Sequence, residues 1–370
     1  MKGTLTLEDG TKFEGESFGA DLSVAGEVVF NTGMVGYPES LTDPSYCGQI
    51  LVLTYPLIGN WGVPDQKNWE SDKIQIAGLV ISDYSDYPSH YSSTKSLERW
   101  LKEQAVPALK GIDTRALTRR LRTKGVMLGK IELKEKVRFW DPNKVNLVEI
   151  VSRKKVQTKG EGKNEIVLID CGAKNNIARC LLSWGAKVRI VPWDWDPFQH
   201  QANFSGLVIS NGPGDPQMVA PTIEIAQKAF KAKIPTLGIC LGSQIMALAA
   251  GARTYKLKFG HRSQNQPCQE VRTGKCFITS QNHGYAVADK SLPVGWQPWF
   301  VNLNDQTNEG IIHDKDPFLA VQFHPEASPG PTDTAWIFDL FFSLVDKYAG
   351  KVPKYQVRKE GTAIPKVVVA

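Results

Sequence analysis

Ile234-Pro-Thr-Leu-Gly-Ile-Cys240-Leu-Gly-Ser-Gln244-Ile-Met-Ala-Leu-Ala-Ala250 decides the reading of this chain. Its first half is a short apolar run that reads as a buried strand; its second half, closed by Gly251, reads as a helix. Cys240 falls at the junction. Gly238 and Gly242 flank it two residues to either side, the small-x-nucleophile-x-small spacing of a strand-to-helix elbow, where bulk would collide with neighbouring backbone. Such an elbow lifts the thiol above a sheet edge, and the amino end of the following helix favours the nucleophilic thiolate. A lone cysteine is more often a small core residue; the paired glycines reverse that preference here.

Outward from the elbow, strand and helix alternate. Ile166–Ile169 reads as a strand, Asn176–Trp184 as a helix, Lys187–Val191 as a strand, Gly206–Ser210 as another, and 220–232 as a helix. This alternation implies a parallel sheet covered on both faces. The loop Asn211-Gly-Pro-Gly-Asp215 and the elbow then lie at the carboxyl ends of strands, where open parallel sheets place their ligand sites. After residue 253 the segments shorten and read as antiparallel, with Cys276–Ser280 a strand and Gln281-Asn-His283-Gly-Tyr285 a loop. Ala320–Phe323 is the last strand and delivers His324-Pro-Glu326; a helix from Thr332 to about Tyr348 ends at Ala349-Gly350.

Residues 1–151 read as a separate, strand-rich α+β domain. Leu5–Phe13 alternates apolar and polar residues around Asp9-Gly10, a hairpin signal. Further strands are expected at 26–33 and 49–56, then a helix through Leu97, Trp100 and Leu101 capped by Ser93 or Thr94. A second helix begins at the N-cap Asp113 and carries Arg115, Arg119, Arg120 and Arg122, as dipole complements or as a partner surface. Residues 152–164, polar and glycine-bearing without periodicity, read as a linker. Residues 165–350 form the second domain, and 351–370 a patternless tail, disordered or docked on the body.

At 370 residues, 42% hydrophobic and 22% charged, the chain can build two ordinary cores. No run of about 18 apolar residues suggests a membrane span, and the opening Met1–Gly10 lacks a signal-peptide core, so a cytoplasmic address is expected. The six cysteines include no C-x-x-C pair, which argues against a zinc site of that type and against a disulfide framework. The net charge of +6 is dispersed and reads as solvated surface, not a nucleic-acid footprint. None of the four Gly-Lys pairs, at 129, 162, 274 and 350, has the P-loop spacing, so nucleotide binding by this chain is not expected.

A thiol nucleophile needs a base. His324 ends a strand of the same sheet, and Glu326, two residues on, shares its face and can hold one ring nitrogen while the other faces Cys240. Alone, His-Pro-Glu reads as a surface turn with an ion pair; with the elbow it completes a nucleophile, base and orienter set. The amide of Leu241 and a glycine amide of the Asn211–Gly214 loop supply an oxyanion hole.

Gly238-Ile-Cys-Leu-Gly-Ser-Gln244, Ser210-Asn-Gly-Pro-Gly-Asp215 and His324-Pro-Glu326 together resemble the class I, triad-type glutamine amidotransferase domain. Phe30–Tyr37, Leu41–Tyr46, Leu53–Asn60 and Gly111–Arg115 resemble the leading domain of the small-subunit family of carbamoyl phosphate synthetase. The resemblance implies a mainly parallel central sheet flanked by helices in the second domain, and catalysis by Cys240, His324 and Glu326. It implies glutamine contacts at Ser45, Gly212, Gly214, Leu241, Gln244, Asn282, Gly284 and Tyr285. It further implies that ammonia released from L-glutamine passes to a separate large subunit, which joins it to bicarbonate using two ATP, with Mg2+ on that partner and no metal or cofactor on this chain. The expected assembly is a heterodimer or a higher assembly of heterodimers, serving arginine and pyrimidine synthesis without membrane or nucleic acid. Ser243 stands where the family usually has His, Ser263 where it has Gly, Gln266 where His is frequent and Tyr285 where Phe is frequent. The rivals are an amidotransferase of another pathway, differing in acceptor, and a non-catalytic glutamine sensor, in which loss of the cysteine would be expected.

Overall fold

The computed structural model describes residues 1–200 and 203–349. The expected tail, 351–370, lies outside the described residues.

The N-terminal domain is built on a closed barrel. Around it run Lys2–Leu7, Lys12–Ser17, Ala108–Lys110, Gly78–Val80, Gln49–Leu53, Val24–Asn31 and Met127–Glu132. The Asp9-Gly10 turn joins the first two strands, Leu5 pairing with Phe13, while Val24–Asn31, Gln49–Leu53 and Gly78–Val80 run parallel. Period-2 alternation divides their side chains: Val28, Phe30, Ile50 and Val52 enter one apolar cluster, Val29, Leu51 and Leu53 another. Closure removes the unpaired edges an open sheet would expose. The helix Leu97–Glu103 is capped by Ser96, which accepts from Arg99 N, and not by Ser93 or Thr94, which precede a short extended stretch. Asp113 caps Thr114–Lys124 as expected, accepting from Ala116 N at 2.8 Å.

The second domain carries a ten-stranded sheet among the described residues. Its order is Gln157–Lys159, Lys187–Pro192, Glu165–Asp170, Gly206–Ile209, Thr236–Ile239, Phe318–Val321, Asn308–His313, Trp296–Asn302, Thr254–Glu270 and Cys276–Val287. The strands from Lys187 to Phe318 in that order pair in parallel. Both faces are covered, so the strands read as continuous apolar runs. Ile166 and Leu168 pack with Ile177 and Leu181 of Asn175–Ser183 and with Phe338 and Phe341 of Trp336–Tyr348; Val167 and Ile169 pack with Ile225 and Ala229 of Ala220–Lys231 and with Ile245 and Met246 of Leu241–Ala250. The mainly parallel centre flanked by helices is thus as expected.

Three further details differ from the sequence reading. The segment 152–164 contributes an edge strand, Gln157–Lys159, antiparallel to Lys187–Pro192. Gln281–Tyr285 is not a loop but part of the strand Cys276–Val287, paired with Thr254–Glu270 through a register shift between Lys256 and His261. Its polar residues mimic a turn because they bond to buried partners. The last helix begins at Trp336, a turn later than expected.

Candidate active site

Cys240 sits at φ 54°, ψ −104°, a backbone region an L-residue enters only when its surroundings over-determine it. The surroundings are two contacts that leave no room for a Cβ. At Gly242 a Cβ would strike the carbonyl oxygen of Ile209, and at Gly238 it would lie 2.6 Å from Gly242 O and 2.7 Å from Met246 Sδ. Cys240 N donates to Val321 O at 2.8 Å, pinning the elbow to the strand that precedes His324. The sulfur is 3.5 Å from Asn282 O and 3.6 Å from Gln322 Nε2.

His324 and Glu326 are 2% exposed each, and His324 Nδ1 donates to Glu326 Oε1 at 2.7 Å. Burial opposes a charge on His324, but Glu326 outweighs it, and with the nearby Cys240 sulfur the imidazole is pushed up to about 10. His324 Nε2 is buried without a hydrogen bond of normal geometry in the protein, while Cys240 contributes to holding its proton. Glu326 resists burial through Lys174 and His324, which hold its carboxyl at about 2. The geometry is an imidazolium beside a sulfur, oriented by a carboxylate that stays ionised.

Leu241 is the first residue of its helix, so its amide has no intrahelical acceptor. Across the neighbouring strand end, Gly212 packs so tightly on Cys171 O that no other residue fits, which brings its backbone against Leu241. Ser45, Gly212, Gly214, Cys240, Leu241, Gln244, Asn282, Gly284 and Tyr285 all line one pocket. His324 lines a second pocket, with Asp43, Lys174 and Asn282, and Asn282 lines both. Gln244 Nε2 donates to Tyr285 O at 2.9 Å and Gln322 Oε1 at 3.0 Å, tying the elbow helix to the opposite wall. The Ser243 hydroxyl is buried and unpartnered.

Several residues of the site were not read from the sequence. Lys174, 7% exposed, donates to Glu326 Oε1 at 3.0 Å; burial disfavours its charge, and Glu326, Glu70 and Asp43 more than restore it. Glu70, fully buried, comes from the N-terminal domain and accepts from Asn176 N at 2.9 Å. Asp43 accepts from Ser45 N and from Asn282 Nδ2, both at 2.9 Å, and Asn211 Nδ2 donates to Ser45 Oγ at 2.9 Å. Arg262, 5% exposed and on the pocket wall, is pulled below the usual guanidinium range by burial, against Tyr46, Glu27 and Cys240. None of these has a periodicity or spacing that marks it; a lysine or glutamate in an unpatterned segment reads as surface.

The family model of the carbamoyl-phosphate synthase small chain, CPSase domain, matches residues 5–131, and that of the class-I glutamine amidotransferases matches residues 167–344. "Carbamoyl-phosphate synthase (ammonia), mitochondrial" of Mus musculus is 52% identical over 359 residues, covering 94% of this chain and 24% of that protein. The protein of the same name from Aquarana catesbeiana is 49% identical, covering 99% of this chain and 26% of its own. "Multifunctional protein CAD" of Squalus acanthias is 51% identical, covering 91% and 16%. The chain therefore spans about a quarter or less of the length of these relatives. The mouse and frog names also correct the expected address: both relatives are mitochondrial by name, and a strictly cytoplasmic reading does not stand. Among the described residues no helix is long and apolar enough to cross a membrane.

Proposed function

Because the chain belongs to the carbamoyl-phosphate synthase small-chain family, with a class-I glutamine amidotransferase domain, we propose that it hydrolyses L-glutamine and supplies ammonia for carbamoyl phosphate synthesis by a large-subunit partner. The single observation that carries the reading is the convergence, on one pocket around Cys240, of all eight residues expected to contact glutamine, from both domains.

The chemistry follows from the geometry. Cys240 Sγ attacks the side-chain carboxamide carbon, and the oxygen, now carrying the electron pair of the broken C=O π bond, is met by the amides of Leu241 and Gly212. Collapse re-forms C=O and breaks C–N; His324 delivers its proton to the departing nitrogen, and ammonia leaves a glutamyl thioester. Water then attacks the thioester with His324 as base, and glutamate and the thiolate–imidazolium pair are regenerated. Glu326 holds the ring throughout, and Lys174 keeps Glu326 ionised. The wall carries charges of both signs, Arg262 and a Glu27–Lys256 pair at 2.6 Å, which suits a zwitterionic substrate. On this reading the partner consumes the ammonia with bicarbonate and two ATP.

The test is carbamoyl phosphate synthesis by the complex of this chain with its large subunit, driven by glutamine or by added ammonia. Cys240→Ser should lower glutamine-dependent synthesis at least about a thousandfold while ammonia-dependent synthesis persists. His324→Asn should cost glutamine hydrolysis about a hundredfold or more. Loss of both nitrogen sources in the serine variant would place Cys240 in assembly, and undiminished glutamine use would remove it from the reaction.

A further inference from the structure

A second buried cluster lies in the antiparallel arm, and the proposed glutamine chemistry does not use it. His261 and His283 sit directly opposite each other on Thr254–Glu270 and Cys276–Val287, and Glu309 reaches them from Asn308–His313. They are 7%, 5% and 0% exposed, with their facing atoms all within 4.8 Å of one another.

Each ring nitrogen faces an oxygen. Outward, His261 Nε2 is 2.9 Å from Asp305 Oδ2 and His283 Nδ1 is 2.8 Å from the carbonyl of Tyr285. Inward, His261 Nδ1 is 3.2 Å and His283 Nε2 3.6 Å from the same oxygen, Glu309 Oε1. Gln281 Oε1 also lies 3.2 Å from His283 Nε2, its amide nitrogen being engaged by Cys268 Sγ and Thr279 Oγ1. A neutral imidazole has one N–H. Spent on the outward bonds, the two protons leave two ring lone pairs facing Glu309; Asn302 Nδ2 stands 3.4 Å from both His261 Nδ1 and Glu309 Oε1, Thr307 Oγ1 also donates to Oε1, and the other oxygen, Oε2, is buried without a partner. One further proton leaves one of these contacts uncompensated, and two would place imidazolium rings 4.9 Å apart in a buried site.

We propose that His261 Nδ1, His283 Nε2 and the Glu309 carboxylate bind one divalent transition-metal ion, Zn2+ by its donor set, with Gln281 Oε1 as the nearest fourth ligand. Two ligands of a tetrahedral zinc at about 2.0–2.1 Å stand about 3.3 Å apart, close to the inward separations here. The outward bonds, one ring to a carboxylate and one to a backbone carbonyl, are the outer partners that orient metal-bound histidines. Bound there, the ion clamps three strands, with His283 itself on the lining of the pocket between Asn282 and Gly284.

The experiment uses the full chain, stripped with a chelator and titrated with Zn2+ alone, with metal content by mass spectrometry and thermal melting as readouts. One Zn2+ per chain and a higher Tm are expected, both lost in His261→Asn and Glu309→Gln. Co2+ should give ligand-field bands without a sulfur-to-metal charge-transfer band, a result that stands even should a variant fail to fold. No stoichiometric Zn2+ in the wild-type chain, retention of the ion by the variants, or a thiolate band in the Co2+ spectrum would overturn the site.

Discussion

The two walls of the proposed active site are made in different ways. On one, Gly212, Cys240 and His324 follow the carboxyl ends of three adjacent parallel strands, Gly206–Ile209, Thr236–Ile239 and Phe318–Val321, so pairing of main chain brings them together. On the other, Asp43, Ser45 and Glu70 come from loops of the barrel domain and reach the site through side-chain bonds between residues 106 to 239 apart in sequence, from Glu70–Asn176 to Asp43–Asn282. The reacting atoms are placed by backbone. Their charge balance is set by Glu326 and Lys174, and Glu70 and Asp43 of the other domain enter it through Lys174. Changes to the first wall should therefore abolish the site and changes to the second should tune it.

Gly242→Ala tests the first wall most severely. Its Cβ would meet the carbonyl oxygen of Ile209, with Ile209 C at 2.8 Å and Ser210 O at 3.1 Å, and backbone in a central strand cannot withdraw. Overpacking of this kind costs about 1–3 kcal/mol or more, so the variant should melt lower and lose glutamine hydrolysis. Gly284→Ala, on the antiparallel strand Cys276–Val287 that also lines the pocket, would meet only the movable Arg262 Nη2 at 3.4 Å and should leave Tm unchanged. Equal melting temperatures for the two variants would erase the contrast.

Glu326→Gln is next in size, because it keeps the shape of the carboxyl and removes its charge. In the wild type His324 is pushed up to about 10, so the proton proposed to pass to ammonia is lost only as pH rises through that value. Without the carboxylate, burial dominates, and the alkaline limb of glutamine hydrolysis should move down by about one unit or more. The stability effect has the opposite pH direction. Glu326 is lowered from its ordinary 4.5 to about 2, so its contribution is complete above 4.5 and disappears as pH falls toward 2. The deficit of the variant in chemical denaturation should accordingly be largest near neutrality and shrink in acid. An unmoved alkaline limb would take the carboxylate out of the proton-transfer step.

The same contrast explains what could be read in advance. The elbow was legible because its constraint is steric and local: two glycines at fixed offsets are needed wherever Ile209 O and Met246 Sδ come this close. The parallel sheet was legible because strands buried on both faces are apolar throughout, as in Ile166–Ile169. Barrel closure was not, since it depends on pairing between Lys2–Leu7 and Met127–Glu132, distant in sequence. Gln281–Tyr285 reads as a loop because polar residues and a glycine signal turns, whereas in the fold their partners, Cys268, Gln244 and Glu309, lie on other elements. Lys174 and Glu70 were invisible for the same reason: a buried charge is marked only by its partner.

Glu70→Gln should have the smallest effect and the most informative sign. The amide keeps an oxygen for Asn176 N, and the backbone bond from Asn175 N to Glu70 O is untouched, so the seam between domains stays closed. Burial raises the Glu70 carboxyl above its ordinary 4.5, against Lys174 and the Asn176 amide. A carboxyl with a raised folded pKa binds its proton more tightly folded than unfolded, so stability falls as pH climbs through that interval. At neutral pH the ionised side chain is thus a cost to the fold, and the amide variant should be no less stable than the wild type, with any gain vanishing in acid. Activity should move the other way. Glu70 helps keep Lys174 charged, Lys174 keeps Glu326 ionised, and Glu326 holds the His324 proton. A few-fold fall in kcat for glutamine, with KM unchanged and melting temperature equal or higher, is expected. Should the variant instead melt lower with kcat intact, Glu70 would be a seam contact alone, and the barrel domain would lend the site its shape without its charge.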